Sequence, residues 1–367
     1  FENSVAAGIT PEDTSYWNSP NELQTLSISN DTIFLTNGSF VKLPNVSGGK
    51  TYVQLFDNVT DAEADSILAS DFGPNTQFVY ITNTTNLSNV DLSGINSLLE
   101  LKIENNSALT TINGTSSIKR ISQTFTVMNN TLLEVLNFDN LEKLGDFDYD
   151  GNSQISTINF PSLIYAANIS VRNSMLNSVS LSALESIRNI SFEDNTELSS
   201  INLSALETCD DITINSSTSL TNLELSSLQS SGSLFINSNS ALTNLDLSAL
   251  QSSQSLSIDN NSALTSIDLS ALQNVESNLS ISTNSALTNI DLSALQSFYY
   301  LNIGSNALPT SEINEILSIL VGLSSSFWDS YNNNINLSGQ NPSAPPTGQG
   351  ITDLNTLQNM GVCIDTD

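Results

Sequence analysis

Three stretches of the chain decide its fold: SNSALTNLDLSALQSSQSL (Ser238–Leu256), NNSALTSIDLSALQNVESNL (Asn260–Leu279) and TNSALTNIDLSALQSFYYL (Thr283–Leu301). The Leu that opens each "LT" pair falls at Leu242, Leu264 and Leu287. The same frame runs back through Leu220, Leu198, Leu176, Ile155, Leu133, Leu109 and Leu87, and forward to Leu308. A period of about 22 residues sustained over that length marks a solenoid, in which each unit completes its core only against its neighbours.

Inside one unit, apolar and polar residues alternate twice. Leu256 and Ile258 flank Ser257, and Ile267 and Leu269 flank Asp268, which predicts two short strands per coil, each with alternate side chains inward. Between them lies an Asn-rich corner. The position of Asn261 is held one period away by Asn239 and Asn284, and further back by Asn195, Asn173, Asn152, Asn130 and Asn106, with Ser217 as the polar exception. An Asn there can bond the backbone groups that a tight turn leaves open, and stacked Asn side chains can bond each other from coil to coil. About five aliphatics per coil are expected inside, each worth roughly 1.5–3 kcal/mol before entropy.

This pattern resembles a leucine-rich repeat, and more closely the coil of receptor L-domains, over residues 78–308. It departs from the standard repeat by one extra residue between Asn261 and Leu264, and no unit carries a long amphipathic helix. The expected fold is therefore mainly β: a leucine-rich-repeat-like β-solenoid of ten or eleven strand-walled coils, about 50 Å long at one strand spacing per coil, with small helical caps at both ends.

Composition bounds the chemistry. With 38 acidic and 8 basic residues the formal charge is −30, and there is no His. Such a surface argues against nucleic-acid binding, since little is available to neutralise phosphates. Lack of His removes the commonest general base and metal ligand, which argues against hydrolytic triads and zinc sites. Cys209 shares a column with Ile121, Leu144, Ile187, Val275 and Phe298, and so reads as a core residue, whereas Cys363 is about six coils away. A bridge would have to span about 30 Å, so two free thiols are expected. No run of 18 apolar residues predicts a membrane span. The opening at Phe1 rather than Met suggests a processed chain or a fragment.

Before the repeats, residues 1–50 read as a separate module: a polar joint, then strands at Leu26–Ser29, Thr32–Leu35 and Phe40–Leu43, meeting at turns over Asn30-Asp31 and Asn37-Gly38. The order of Trp17, Gln24-Thr25-Leu26-Ser27, Asn37-Gly38 and Leu43-Pro44 resembles a module of tail-fibre-like and surface proteins of Bacteroidota and their phages. That resemblance implies a joint to a fibrous, often trimeric shaft. Residues 51–77 read as an N-terminal cap, with a strand at Thr51–Phe56 and a capping box, Thr60-Asp61-Ala62-Glu63, opening a helix to about Ser70. Residues 309–367 read as a C-terminal helical cap, with helices at Ser311–Leu323 and Thr352–Met360. The ending NINLSGQNPSAPPTGQGITDLNTLQNMGV (Asn334–Val362) resembles that of Bacteroidota leucine-rich surface proteins.

Candidate ligand-binding residues lie on the outward columns. The second strand presents Glu224, Asp246, Asp268 and Asp291 in successive coils, with Asn222, Asn244, Ser266 and Asn289 two residues earlier on the same face. Carboxylates one coil apart repel by about 0.9 kcal/mol even in water. Either salt screens them, or calcium bridges Asp246, Asp268 and Asp291 with help from the Asn row. The first strand presents a lane of small polar residues, Ser170, Ser191, Thr213, Ser257 and Ser280 among them. Tyr299 and Tyr300 offer rings that can stack on a sugar, while Phe327 and Trp328 read as cap packing.

Three function classes follow from these readings. The first is a non-catalytic binder of a host or cell-surface glycan or protein, forming the distal, extracellular part of a tail-fibre-like virion appendage, with calcium as its one candidate cofactor; it would join its own shaft or particle proteins through the N-terminal module, as a homotrimer. The second is a bacterial cell-surface adhesin or scaffold. The third, a solenoid polysaccharide-active enzyme, is the least supported, because the acids form a periodic ladder and not one unusual cluster.

Overall fold

The computed structural model describes residues 48–323, 328 and 334–367, together with three strands within 27–42. The chain divides into two units, Phe1–Gly49 and Lys50–Asp367. In the first, Ser27–Ser29, Thr32–Phe34 and Phe40–Lys42 form an antiparallel sheet in chain order, with Ile33 opposite both Ile28 and Val41. The rest of the expected joint, Trp17 included, lies outside the described residues.

The second unit is a parallel β-solenoid of about 11 coils of about 22 residues. One wall is a 16-stranded sheet in which every neighbouring pair is parallel. The other wall is built from short strands such as Ser200–Asn202, Asn222–Glu224 and Ser266–Asp268, also parallel from coil to coil. The two alternations in the sequence become these two walls. Along Thr208–Asn215, for example, Cys209, Ile212 and Ile214 point inward, and Ile212 pairs with Ile190 on one side and Leu234 on the other. All the anchor positions from Leu87 to Leu308 are buried. In the coil after Ser255 the core takes Leu256, Ile258, Leu264, Ile267, Leu269, Leu272 and Val275, more than the five expected, because the turn after the short strand also buries its leucines.

Every coil turns its corner through a left-handed residue. Asn83, Asn105, Asn129, Gly151, Asn173, Asp194, Ser216, Ser238, Asn260, Thr283 and Ser305 have φ between 46° and 66°. Glycine serves among them at Gly151, where an added Cβ would meet Asn129 Oδ1 at 2.4 Å; the others are Asn, Asp, Ser and Thr.

The residue after this corner builds the Asn ladder. Each ladder carbonyl accepts the amide N–H of the same position one coil earlier, as in Asn239 N to Asn261 Oδ1 at 3.0 Å and Asn261 N to Asn284 Oδ1 at 2.8 Å. Each ladder Nδ2 donates to a backbone carbonyl of the coil before, as in Asn261 to Ile236 O at 2.8 Å. Fully buried, these amides close the backbone groups that the corner would otherwise leave open. One expected rung is corrected: Asn173 is exposed at the left-handed corner, and the buried rung of that coil is Ser174, whose hydroxyl donates to Asn195 Oδ1 at 2.6 Å.

At the two ends the expected caps prove to be coils of the same sheet. The long wall begins with Tyr52–Asp57 paired to Phe78–Thr84, and it continues past Tyr300–Asn302 into Asn334–Asn336 and Cys363–Asp365. Helices α1 (Asp61–Asp71), α2 (Thr310–Gly322) and α3 (Gln349–Asn359) occupy these end coils. The 22-residue period breaks there because a helix takes more residues than a short strand to cross the same width. The capping box of α1 is present, with Glu63 N donating to Thr60 Oγ1 and Thr60 N donating to Glu63 Oε2 at 2.9 Å.

Two acids close the short-strand wall. Asp61 of α1 accepts Ser88 N at 2.7 Å and Asn89 N at 3.2 Å, at the open edge of the first short strand, Asn89–Asp91. Glu312 of α2 accepts Ile290 N at 2.9 Å at the edge of the last, Asn289–Asp291. Gln340 ends the Asn ladder: its Nε2 donates to Ile303 O at 2.9 Å and its Oε1 accepts Leu308 N at 3.2 Å.

Candidate functional site

The short-strand wall places the sequence candidates in register. Ser266 pairs with Asn289 and Asp268 with Asp291, while Asp246 bridges to Asp268 and Asn244 pairs with Asn222. Asn244, Asp246, Ser266, Asp268 and Asn289 are exposed, and Asp291 is half-buried beside α2. The three aspartates thus stack one coil apart, as expected.

Each of them also serves its own chain. Asp246 Oδ1 accepts Ser248 N at 3.0 Å and Ser248 Oγ at 2.7 Å; Asp268 Oδ1 accepts Ser270 N at 3.0 Å; Asp291 Oδ1 accepts Ser293 N at 2.9 Å. Asp91 does the same with Ser93 at 2.8 Å and Asn202 with Ser204 at 3.0 Å. The recurrent D/N-L-S triplet is therefore a turn device, in which a side-chain oxygen two residues upstream satisfies a turn amide. The Ser270 hydroxyl, and then its amide, hold the Asp268 carboxyl below the usual range against a small opposing effect of burial. Among the described residues no three acids, Cys or His converge on a point that could hold an ion. The carboxylates that were candidate calcium ligands lie in a row, each with an oxygen turned into its own turn.

The aromatic candidates separate. Tyr299 is 49% exposed, whereas Tyr300 is half-buried at the start of a long-wall strand. Trp328 packs edge-on against the core residue Phe298, with ring centroids 6.4 Å apart, in keeping with cap packing. Phe327 lies outside the described residues.

A cluster that the sequence reading did not single out sits on the outer face of the first coils. Tyr52 and Tyr80 meet edge to face with centroids 4.9 Å apart, and Lys102 Nζ lies 4.7 Å over the Tyr80 ring. The Tyr80 hydroxyl donates to Glu100 Oε2, and Lys102 pairs with the same carboxylate at 3.5 Å. Burial first, then the Glu100 hydrogen bond, push the Tyr80 phenol up to about 12. Tyr52 is 43% and Phe56 52% exposed. The signal was available as YVQLF and FVYIT, two aromatic-rich strands in place of the Ser/Thr lane, but the first fell in the expected cap and the second at the start of the expected solenoid.

Neither cysteine is bridged. Burial, and then Asp211 and Asp210, push the Cys209 thiol up to about 12, which suits an inert core position.

No known family profile matches the chain, and no curated protein does either. Among solved structures it is similar to a chain in the Toll–Spatzle complex of Drosophila, at 13% identity and a TM-score of 0.17, covering 98% of this chain and 66% of that one. An overlay that loose carries no argument, and the fold rests on the ladders described above.

Proposed function

We propose that the chain is a non-catalytic binding protein that recognises a cell-surface glycan or protein, as the distal, extracellular part of a tail-fibre-like appendage. The observation that supports this is the outer face of the long wall. Parallel strands in register hold polar side chains at one repeated spacing, and rings stand exposed among them at Tyr52, Phe56 and Tyr165, with Tyr299 beside the last repeat. A rigid array of hydroxyls, amides and aromatic faces offers directional hydrogen bonds and stacking at little ordering cost on binding.

Incubation of the protein with glycans from candidate host surfaces, followed by chromatography of both, tests the reading. Retention of intact glycan or of whole cells is the expected result; cleavage of the glycan would replace the binder with an enzyme. Recovery of the chain from bacterial envelopes, and not from particles, would make it a surface adhesin instead. A trimeric shaft joint predicts that deleting residues 1–44 lowers the mass by light scattering from trimer to monomer while the melting transition persists.

A further inference from the structure

The bases of this acidic chain are placed unevenly. Of its 8 Lys and Arg residues, Lys119, Arg120, Lys143, Arg172 and Arg188 fall within four neighbouring coils, and no base follows Arg188. Arg120, Lys143 and Tyr165 are register partners in three successive strands of the long wall, so one column brings two cations and a ring together, about 4.8 Å from strand to strand. All three are exposed, Tyr165 to 42%.

These two cations form no ion pair with a described acid. The ion pairs among the described residues are Lys50–Asp71, Lys102–Glu100 and Lys119–Glu142, the last at 3.6 Å. Lys119 thereby occupies Glu142, the acid adjoining Lys143, while Arg120 and Lys143 pair with no acid among the described residues. Like charges directly opposite in a sheet are unfavourable, and in a chain with 38 acids an ionic partner would be easy to supply. Next to the column, Gly145 lets its strand close on the neighbouring one, since a Cβ there would lie 2.0 Å from Gln123 O. Beyond Tyr165 the column continues as Ser186, Thr208, Ser230 and Ser252.

The geometry points to an anionic polysaccharide, a polyuronate or a sulfated glycan, bound along this column: a carboxylate or sulfate group sits between Arg120 and Lys143, a sugar ring stacks on Tyr165, and the hydroxyl column carries the next residues. Charge complementarity selects the anion, because an acid group placed there relieves the repulsion of the two cations and gains charge-assisted hydrogen bonds. The ring and the hydroxyls select a carbohydrate over an acidic peptide. Glu185 and Glu207, exposed beside the Ser186 and Thr208 end, confine the negative group to the Arg120–Lys143 end. The inference rests on the binding function proposed above and names the ligand chemistry.

The test uses the full chain, an Arg120→Gln/Lys143→Gln double variant and Tyr165→Ala, with heparin, polygalacturonate and neutral dextran as immobilised probes. The wild type is expected to bind one or both anionic polymers but not dextran, more weakly as salt rises. The double variant should bind about tenfold or more weaker, the scale of a lost hydrogen bond to a charged group, and Tyr165→Ala should also weaken binding. All three side chains are exposed, so unchanged melting midpoints confirm that the variants fold. Unchanged affinity in the double variant, or equal binding to dextran, overturns the inference. So does salt-sensitive self-association that the double variant abolishes, since a second copy's acidic half would then be the occupant. A wild type that ignores all three polymers yet is retained by host cells overturns this inference and leaves the binding function standing; retention by neither removes both.

Discussion

Ser217 is the weak rung of the Asn ladder, and replacing it with Asn should stabilise the protein. Its side chain is fully buried, and its hydroxyl finds no hydrogen-bond partner. Its amide is normal, donating to Asn239 Oδ1 at 3.0 Å. In the coils that follow, Asn239 donates to Ile214 O and Asn261 to Ile236 O, both at 2.8 Å, and each accepts the previous rung's amide. An Asn at 217 would extend both patterns, accepting from the Asn195 amide and donating to the Phe192 carbonyl. Two added bonds at about 1 kcal/mol each, less the cost of fixing a longer side chain, give a net gain of about 1 kcal/mol. Because coils of a solenoid need not unfold together, the assay should be local: amide hydrogen exchange across residues 190–220, alongside the melting midpoint. Slower exchange at Asn195 with a raised midpoint is expected. Ser174→Asn is the comparison and should gain less, because the Ser174 hydroxyl already bonds Asn195 Oδ1 at 2.6 Å. Unchanged exchange at Asn195, or a lower midpoint in Ser217→Asn, would refute the additive reading of the rungs.

Thr283 holds φ of 60° with a β-branched side chain, so Thr283→Asn should raise stability by about 1 kcal/mol in urea unfolding; a loss would show that the corner tolerates Thr for a packing reason. Burial raises the Glu312 carboxyl above its ordinary value, with smaller upward pushes from Glu315 and Asp291 against the Ile290 amide. The folded state therefore holds its proton longer than the unfolded one, and stability from this group is present at low pH and lost as pH rises from about 4.5 through the folded value. Glu312→Gln keeps an oxygen for Ile290 N and should flatten that slope in melts from pH 4 to 7; an unchanged slope would count against it. Asp268→Asn should leave stability near neutral pH almost unchanged, whereas Asp268→Ala, which loses the Ser270 turn bond, should cost about 0.5–1 kcal/mol. Melting midpoints in calcium and in chelator, at matched ionic strength, are expected to coincide; a calcium-dependent rise that Asp268→Asn removes would restore the metal reading.

Much of this architecture was legible because a solenoid writes the same pattern once per coil. The anchor column from Leu87 to Leu308, the two alternating walls and the buried Asn column each recur often enough to stand out against composition. What blurred was the distinction between adjacent residues of one type. Asn105-Asn106, Asn129-Asn130 and Asn260-Asn261 look like redundant turn formers, yet the first of each pair holds the left-handed corner and the second is a buried rung. At Asn173-Ser174 only the corner keeps its Asn, so a frame drawn on Asn lands one residue early. The Asp column is ambiguous in a related way, since a turn amide and a cation both ask for a carboxylate oxygen. The end coils were missed because their helices lengthen the period, and Tyr52, Tyr80 and the Arg120–Lys143–Tyr165 column went unseen because neither becomes a neighbourhood until the register is known.

Closure by Asp61 and Glu312 leaves the middle of the molecule indifferent to its own length. Each terminator reaches only the strand beside it, so neither senses how many coils separate them. A gene segment encoding one coil can be copied in tandem and the product still ends correctly on both sides. The near-identity of Ser238–Leu256, Asn260–Leu279 and Thr283–Leu301 is what recent copying of that kind leaves behind, and the length of the outer face becomes a quantity that duplication can adjust one coil at a time.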